Sequence, residues 1–222
     1  MFTGIVETCG RVAAIEHSGD GRILRIDAPD LGLAECRIGD SIAVDGACLT
    51  ATGIEDGQFR ADVSDETLRC TTLGGLRSGA RVNLERAVTP STPLGGHLVT
   101  GHVDGVGEVV ERAPAGGSER WRFRVPEGLA RYVAVKGSIA VAGISLTINA
   151  VCGREFEVNL IPHTLAATNL GERRAGDPVN IEVDLVARYV ERLLSAGADG
   201  ASGGEGGGLT LEQLRQAGFG NG

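Results

Sequence analysis

The sequence SIAVDGACLT occupies residues 41–50, and SIAVAGISLT occupies residues 138–147. Seven of the ten positions are identical, and the three that differ pair Asp45 with Ala142, Ala47 with Ile144 and Cys48 with Ser145. The two stretches stand 97 residues apart. The backbone pattern was copied while part of the side-chain chemistry was changed, so this stretch raises both the question of the fold and that of the site.

The same offset of 97 holds far outside these ten residues. The matched pairs include TGIV with TGHV, ETL with HTL, and VNLE with VNIE, at residues 3–6 and 100–103, 66–68 and 163–165, and 82–85 and 179–182. The anchors run through each half without a net gap. A period this long exceeds that of a solenoid repeat and suits a small self-contained domain, so the sequence indicates a duplicated domain.

Each half contains short segments that alternate apolar with polar residues, are rich in Val, Ile and Thr, and are separated by Gly, Asp or Pro. This pattern is typical of β-strands joined by tight turns. The predicted fold is all-β: two homologous antiparallel Greek-key β-barrels in tandem, at residues 1–96 and 97–184, followed by a C-terminal α-helix. ETLRCTTL and HTLAATNL predict one or two helical turns in each half.

After the second barrel the apolar period becomes helical. A stripe of Leu185, Val186, Tyr189, Val190, Leu193 and Leu194 predicts a helix over 185–196. The stripe could pack on its own barrel or against another subunit, and the pattern alone does not separate the two. Residues 197–222 are predicted to be a glycine-rich linker and a short helical tail, whose Thr210 and Gln213 form a capping box.

Composition excludes several classes of protein. The chain has 222 residues, 42% of them hydrophobic, and a formal net charge of −8. The negative charge and only eight aromatic residues disfavour a nucleic-acid-binding barrel. No secretory signal or apolar stretch of about 20 residues is present, so we expect a cytoplasmic protein without a membrane partner. The five cysteines contain no C-x-x-C pair, and no metal site is predicted.

Polar positions that differ between the copies are candidates for chemistry. They are Ile5 with His102, Gly39 with Lys136, Cys48 with Ser145, Glu66 with His163, and Ala87 with Asp184. Cys48 and Thr50 share one face of a predicted strand, and Ser145 and Thr147 repeat that arrangement. Such polar groups are satisfied either by backbone or by a ligand. In the second case the chain has two equivalent pockets for similar small molecules.

Seven segments together closely resemble the riboflavin synthase family, in unbroken order over residues 1–195: MFTGIVE, GDSIAVDGACLT, ETLRCTTLG, GGHLVTGHVDG, KGSIAVAGISLT, LIPHTLAATNLG and VNIEVDLVARYVERLL. The resemblance implies two barrels that each bind one 6,7-dimethyl-8-ribityllumazine. It implies a dismutation in which one lumazine gives a four-carbon unit to the other, yielding riboflavin and 5-amino-6-ribitylaminouracil. It further implies a homotrimer with intersubunit sites, no cofactor, and lumazine synthase as a candidate partner.

The resemblance also implies the site residues. The N-terminal pocket would contain Gly4, Ile5, Val6, Ser41, Cys48, Leu49, Thr50, Asp62, Val63, Ser64, Asp65, Glu66 and Thr67. The C-terminal pocket would contain Gly101, His102, Val103, Lys136, Ser145, Leu146, Thr147, Ile161, Pro162, His163, Thr164, Leu165, Ala166 and Asp184. Catalytic roles would fall to His102, Cys48 and Ser145, with His102 as proton shuttle.

Two departures from the family pattern lie at the tight turn before each pocket strand. Asp45 stands where the family usually has Asn, and Ala142 where it usually has Asp or Asn. Since a short polar side chain normally bonds the backbone of such a turn, Ala142 is expected to weaken it. The rival to the enzyme is a noncatalytic lumazine or flavin carrier of the same fold, and retention of Cys48, His102 and Ser145 favours the enzyme.

Overall fold

A computed structural model describes residues 1–201, with side chains as far as residue 195. The first repeat contains the strands β1 (Thr8–Ser18), β2 (Gly21–Asp27), β3 (Ser41–Val44), β4 (Ala47–Glu55), β5 (Gln58–Val63) and β6 (Arg81–Arg86), and the short helix α1 (Asp65–Cys70). The strands are antiparallel and close into a barrel in the order β1-β2-β5-β4-β3-β6. The alternating segments of the sequence therefore form the predicted barrel.

The second repeat forms a seven-stranded antiparallel sheet in the order β10-β9-β13-β7-β8-β12-β11. Its elements are β7 (Gly105–Ala115), β8 (Ser118–Arg124), β9 (Ser138–Val141), β10 (Ile144–Thr147), β11 (Ala150–Cys152), β12 (Glu155–Leu160), α2 (Pro162–Ala167) and β13 (Pro178–Val183). Together β10 and β11 correspond to β4. Where β4 carries a bulge after Ala51, its counterpart is interrupted at 148–149, so the strand that closes the first barrel is broken in the second.

Each barrel has its own apolar core, and a third cluster lies between them. Leu24, Phe59 and Leu84 lie in the first core, and Trp121 and Phe156 in the second. The third cluster consists of Phe2, Ala43, Val99 and Ala140. Phe2 and Val99 exchange backbone hydrogen bonds of 2.7 and 3.1 Å. The start of the first repeat is therefore paired with the start of the second.

The predicted C-terminal helix is α3 (Leu185–Ala201), which extends past the expected end at residue 196. Residues 197–201 contain glycine but no proline, and glycine lowers helix stability without removing a backbone donor. The predicted helical tail lies outside the described residues. Within residues 1–201, no helix is both long and apolar enough to cross a membrane.

Both hairpins of the opening repeat turn through residues with positive φ. Asp45 and Gly46 connect β3 to β4 with φ of 47° and 82°, and Ala142 and Gly143 connect β9 to β10 with φ of 49° and 79°. Positive φ at both positions is the type I′ geometry that follows strand twist. Asp tolerates it, whereas alanine does so at a cost of about 1–2 kcal/mol. Ala142 is therefore a strained position, in agreement with the weaker turn expected there.

Candidate active site

Each Thr-Gly turn of the repeat is held by a buried glutamate. In the first repeat, the Glu85 carboxylate accepts hydrogen bonds from Thr3 N at 2.6 Å, Thr3 Oγ1 at 2.7 Å and Gly4 N at 3.0 Å. Thr3 and Glu85 are both buried. The glutamate of VNLE is therefore the anchor of the TGIV segment, which lies 82 residues away.

The second repeat has the same arrangement. Glu182 accepts from Thr100 N at 2.6 Å, Thr100 Oγ1 at 2.8 Å and Gly101 N at 3.0 Å. Burial raises the pKa of the Glu85 and Glu182 carboxyl groups, and the hydrogen bonds from the Thr-Gly turns oppose that rise. The matched motifs VNLE and VNIE therefore supply an equivalent buried glutamate in each repeat.

Each turn reaches across to the other barrel. The carbonyl oxygen of Gly4 accepts from Ser145 N at 2.7 Å, and the carbonyl oxygen of Gly101 accepts from Cys48 N at 2.8 Å. Both glycines have positive φ, 75° and 81°. A Cβ on Gly4 would stand 2.6 Å from the Ser145 Cβ, and one on Gly101 would stand 2.5 Å from the Cys48 Cβ. Only glycine fits so close to the other strand.

The segments that follow these turns are crossed in the same way. Val6 packs against the core of the second barrel, and Val103 packs against the core of the first. The assignment of residues 4–6 to the pocket around Cys48, and of residues 101–103 to the pocket around Ser145, was therefore wrong. A comparison of the two copies cannot detect that each Thr-Gly turn contacts the pocket strand of the other repeat. The matches at an offset of 97 residues are the same in either arrangement.

Cys48 and Thr50 share the face of β4 that points away from the barrel interior. Leu49 between them is buried in the first core, whereas Thr50 is exposed and Cys48 half-buried. Ser41 pairs with Thr50 across the strands, and β4 pairs with β5 so that Ala51 faces Ala61. A ligand contacting Cys48 would therefore bind outside the barrel.

The second barrel repeats this arrangement, with Leu146 in the core between Ser145 and Thr147. Each barrel continues into a strand-to-helix junction that contributes further predicted site residues. In the first, Val63 is buried and Ser64 caps α1 by accepting from Thr67 N at 3.2 Å, while Asp62, Asp65 and Glu66 are exposed. In the second, Leu165 packs on the core. The exposed or half-buried members of this junction are Ile161, Pro162, His163, Thr164 and Ala166.

Ser145 has a partner that the comparison of copies does not identify. Its hydroxyl lies 2.7 Å from Nδ1 of His97. His97 is buried, and its Nε2 has no hydrogen-bond partner among the described residues. Burial lowers the pKa of His97, and the charge of Asp184 opposes that change. Ser145 is thus in contact with an imidazole held in its neutral, basic form.

The repeat explains why His97 was missed. The offset of 97 residues pairs His97 with no residue of this sequence, so the comparison of copies does not include it. Cys48, which corresponds to Ser145, has no imidazole within hydrogen-bond distance in the described residues. The segment GGHLVTGHVDG contains both His97 and His102, but the comparison of the two copies marks only His102. The two pockets therefore differ by a buried base as well as by thiol and hydroxyl.

Of the remaining predicted residues, His102 and Lys136 are exposed and Asp184 is half-buried. His102 follows the turn that contacts Cys48, and its backbone N bonds Thr100 Oγ1 at 3.3 Å. Lys136 has a φ of 68° and donates its backbone N–H to Ile148 O at 2.8 Å. His102 consequently lies beside the first barrel's pocket, although it belongs to the second repeat.

A cleft of about 820 Å³ adjoins the first barrel and is bordered by Ile5 and Ser41, but by neither Cys48 nor Ser145. The backbone hydrogen bonds of Cys48 and Ser145 to the Thr-Gly turns, and not this cleft, therefore define where the two pockets lie. Across the described part of the chain, no three His, Cys, Asp or Glu side chains are grouped so that they could hold a metal ion.

Comparison with known proteins agrees with the duplication. The model of the lumazine binding domain family matches residues 3–87 and 100–184. Riboflavin synthase of Actinobacillus pleuropneumoniae is 44% identical over 99% of this chain and 100% of its own length. Riboflavin synthase of Mycobacterium tuberculosis is 52% identical over 89% of this chain and 100% of its own. The crystal structure of LumP complexed with riboflavin is 26% identical, with a TM-score of 0.77 over 82% of this chain and 99% of that one.

Proposed function

Because the chain belongs to the riboflavin synthase family, built from two lumazine binding domains, we infer that it catalyses the riboflavin synthase reaction. Two molecules of 6,7-dimethyl-8-ribityllumazine dismutate by transfer of a four-carbon unit, giving riboflavin and 5-amino-6-ribitylaminouracil. The two substrate molecules together contain all the atoms and electrons of the two products. The reaction therefore needs no added oxidant or reductant.

The observation that carries this inference is a pair of equivalent pockets with unequal chemistry. Gly101 O contacts Cys48 N in one, and Gly4 O contacts Ser145 N in the other. A dismutation uses two copies of one substrate in different roles. A duplicated frame binds both copies alike, and the different side chains assign them different roles.

We assign the activation of one lumazine to Ser145 and His97. Neutral His97, 2.7 Å from the Ser145 hydroxyl, is placed to accept its proton as the oxygen adds to C7 of the bound lumazine. The new bond is Oγ to C7, and the displaced π electrons enter the ring. Nearby Asp184 favours the protonated imidazole that results. This use of a base-activated hydroxyl is general nucleophilic catalysis.

The other lumazine must lose a proton from its acidic 7-methyl group, because the ring delocalises the resulting carbanion. His102 is exposed and follows Gly101, whose carbonyl oxygen contacts Cys48, and its imidazole can pass that proton to solvent. Cys48 positions the ring in this assignment. The hydroxyl and carboxylate groups of Ser41, Thr50 and Asp62 on the outer face suit the hydroxyls of a ribityl chain.

Assembly into a homotrimer forms part of the proposal. Along α3, Val186, Tyr189, Val190, Leu193 and Leu194 are all exposed, and an apolar stripe of this kind is typical of a contact surface. Sedimentation of a chain truncated after Val183 tests it: loss of the oligomer is expected, and an unchanged trimer would contradict the assignment. Lumazine synthase as a partner and a cytoplasmic location stay expectations from the sequence.

A noncatalytic carrier is the alternative, and LumP structures with riboflavin and with 6,7-dimethyl-8-ribityllumazine share the fold. The higher identity to riboflavin synthases favours the enzyme. The test is an anaerobic incubation with the lumazine alone, followed by chromatography of both products. One riboflavin for every two lumazines consumed is expected, whereas tight fluorescent binding without product would leave only the carrier.

A further inference from the structure

We propose that Glu85 and Glu182 are positioning residues that act across the barrels. Glu85 lies in the first repeat but sets the geometry of the pocket at Ser145, and Glu182 lies in the second repeat but sets the geometry of the pocket at Cys48. The inference rests on the proposed function, since the pockets are taken to bind lumazine.

The first step is the carboxylate itself. A carboxylate is a pure acceptor, and each of these two receives three donors from one Thr-Gly pair. Oε1 of Glu85 accepts both Thr3 donors, and Oε2 accepts Gly4 N. An amide of the same shape can keep the two threonine bonds, but its NH₂ then faces the glycine N–H. Replacement by Gln therefore releases the glycine specifically.

The second step is the contact of that glycine with the opposite pocket. Gly4 and Gly101 stand so close to Ser145 and Cys48 that a single Cβ would clash, and their carbonyl oxygens accept the backbone N–H groups of those same residues. Packed groups transmit a displacement because no void absorbs it. A change at Glu182 is thereby transmitted through Gly101 to Cys48.

Strand pairing within the first barrel offers an alternative path from Glu85 to Cys48, so the proposal can be tested against an effect confined to one barrel. Ala43 lies opposite both Glu85 and Cys48 on the adjacent strands. If each glutamate supported only its own barrel, the loss of Glu85 would disturb Cys48. The crossed contacts predict the opposite, namely that Cys48 keeps its ligand and Ser145 loses it.

The experiment measures the occupancy of each pocket by thiol protection in the full-length protein. All five cysteines are free, so the alkylation rate of Cys48, read by peptide mass spectrometry, reports the first pocket. Ser145→Cys introduces a reporter thiol in the second. For each thiol, we would measure the lumazine concentration that halves the alkylation rate. The measurement is made in the Ser145→Cys variant and in the double variants that add Glu85→Gln or Glu182→Gln. The two Gln variants are matched controls for each other.

With Glu182→Gln we expect the half-protecting concentration at Cys48 to rise about tenfold or more, as for loss of a charge-assisted hydrogen bond, while the other thiol stays within about twofold. Glu85→Gln should give the reverse pattern. Equal effects at both thiols, or larger effects within the own barrel, would overturn the inference. Protection of neither thiol before any Gln substitution would overturn the proposed function and this inference with it.

A second pair of variants keeps the test open should a Gln variant not fold. Thr3→Val and Thr100→Val remove the Oγ1 bond to the glutamate, together with the Oγ1 acceptor of the next turn residue's N–H, Ile5 or His102, and leave the backbone bonds to the glutamates. We expect the same crossed pattern with a smaller change of a few-fold. An own-barrel pattern in these variants would also refute the proposal.

Discussion

His97→Gln should abolish most of the turnover while leaving the lumazine bound. Glutamine approximates the size of the imidazole and can still hydrogen-bond the Ser145 hydroxyl, but it cannot accept its proton. The change therefore separates base catalysis from positioning at a contact of 2.7 Å. Because glutamine keeps a hydrogen bond to the Ser145 hydroxyl, lumazine affinity should change by no more than a few-fold.

The expected size follows from the burial of this histidine. Burial of an imidazole whose Nε2 has no partner among the described residues keeps His97 neutral. A positioned base of this kind contributes about 10²–10⁴ in rate, so kcat should fall by that factor. Since the pKa of His97 is lowered, the base form persists as pH falls below the ordinary histidine value of about 6.5. The acid limb of kcat/KM should lie below that value.

The assay is steady-state riboflavin formation from lumazine between pH 5 and pH 9. His17→Gln is the matched control, because His17 is exposed on β1 and lies outside the site, so its activity should equal that of the parent. Ser145→Ala should cost as much as His97→Gln. The double variant should cost no more than either alone, because the two residues act as one unit.

Two results would refute the assignment. The first is a kcat for His97→Gln within about threefold of the parent, with melting temperature and oligomeric state unchanged. The second is additivity of His97→Gln with Ser145→Ala, which would mean that the two side chains act in separate steps.

Three further predictions concern the turns. Gly101→Ala should lower the free energy of unfolding by about 2–4 kcal/mol through strain at φ 81° and the clash with Cys48; urea titration yielding less than 1 kcal/mol would contradict it. Ala142→Asn should raise the free energy of unfolding by about 1–2 kcal/mol, because asparagine tolerates the positive φ at this position with less strain and offers an acceptor to the backbone N–H of Asn180. A melting temperature at or below that of the parent would count against this. Burial raises the pKa of Asp45 to about 6, so parent stability should fall by up to about 3 kcal/mol as pH rises from 4 to 8, whereas Asp45→Asn should not show that loss.

The fold followed from the sequence because its signals are local. Strand alternation, the Asp45-Gly46 turn and an unbroken offset of 97 residues require only the order of the side chains, and a duplicated barrel meets all of them. The face shared by Cys48 and Thr50 followed in the same way from the two-residue period of a strand. Comparison of the two copies also gave Cys48 with Ser145 as one of five positions where the side-chain chemistry differs.

The tertiary structure decided which turn serves which pocket. The contacts of Gly4 with Ser145 and of Gly101 with Cys48 depend on how two barrels with separate cores pack together. Exchange of the two turns would leave every sequence match intact. His97 was missed for a related reason. It has no counterpart in the first repeat, and only the packing of the chain brings it within 2.7 Å of the Ser145 hydroxyl. Periodicity and duplication are properties of one chain segment at a time. The contacts that complete each pocket join segments that are 48 to 141 residues apart, and the order of the side chains carries no information on such distances.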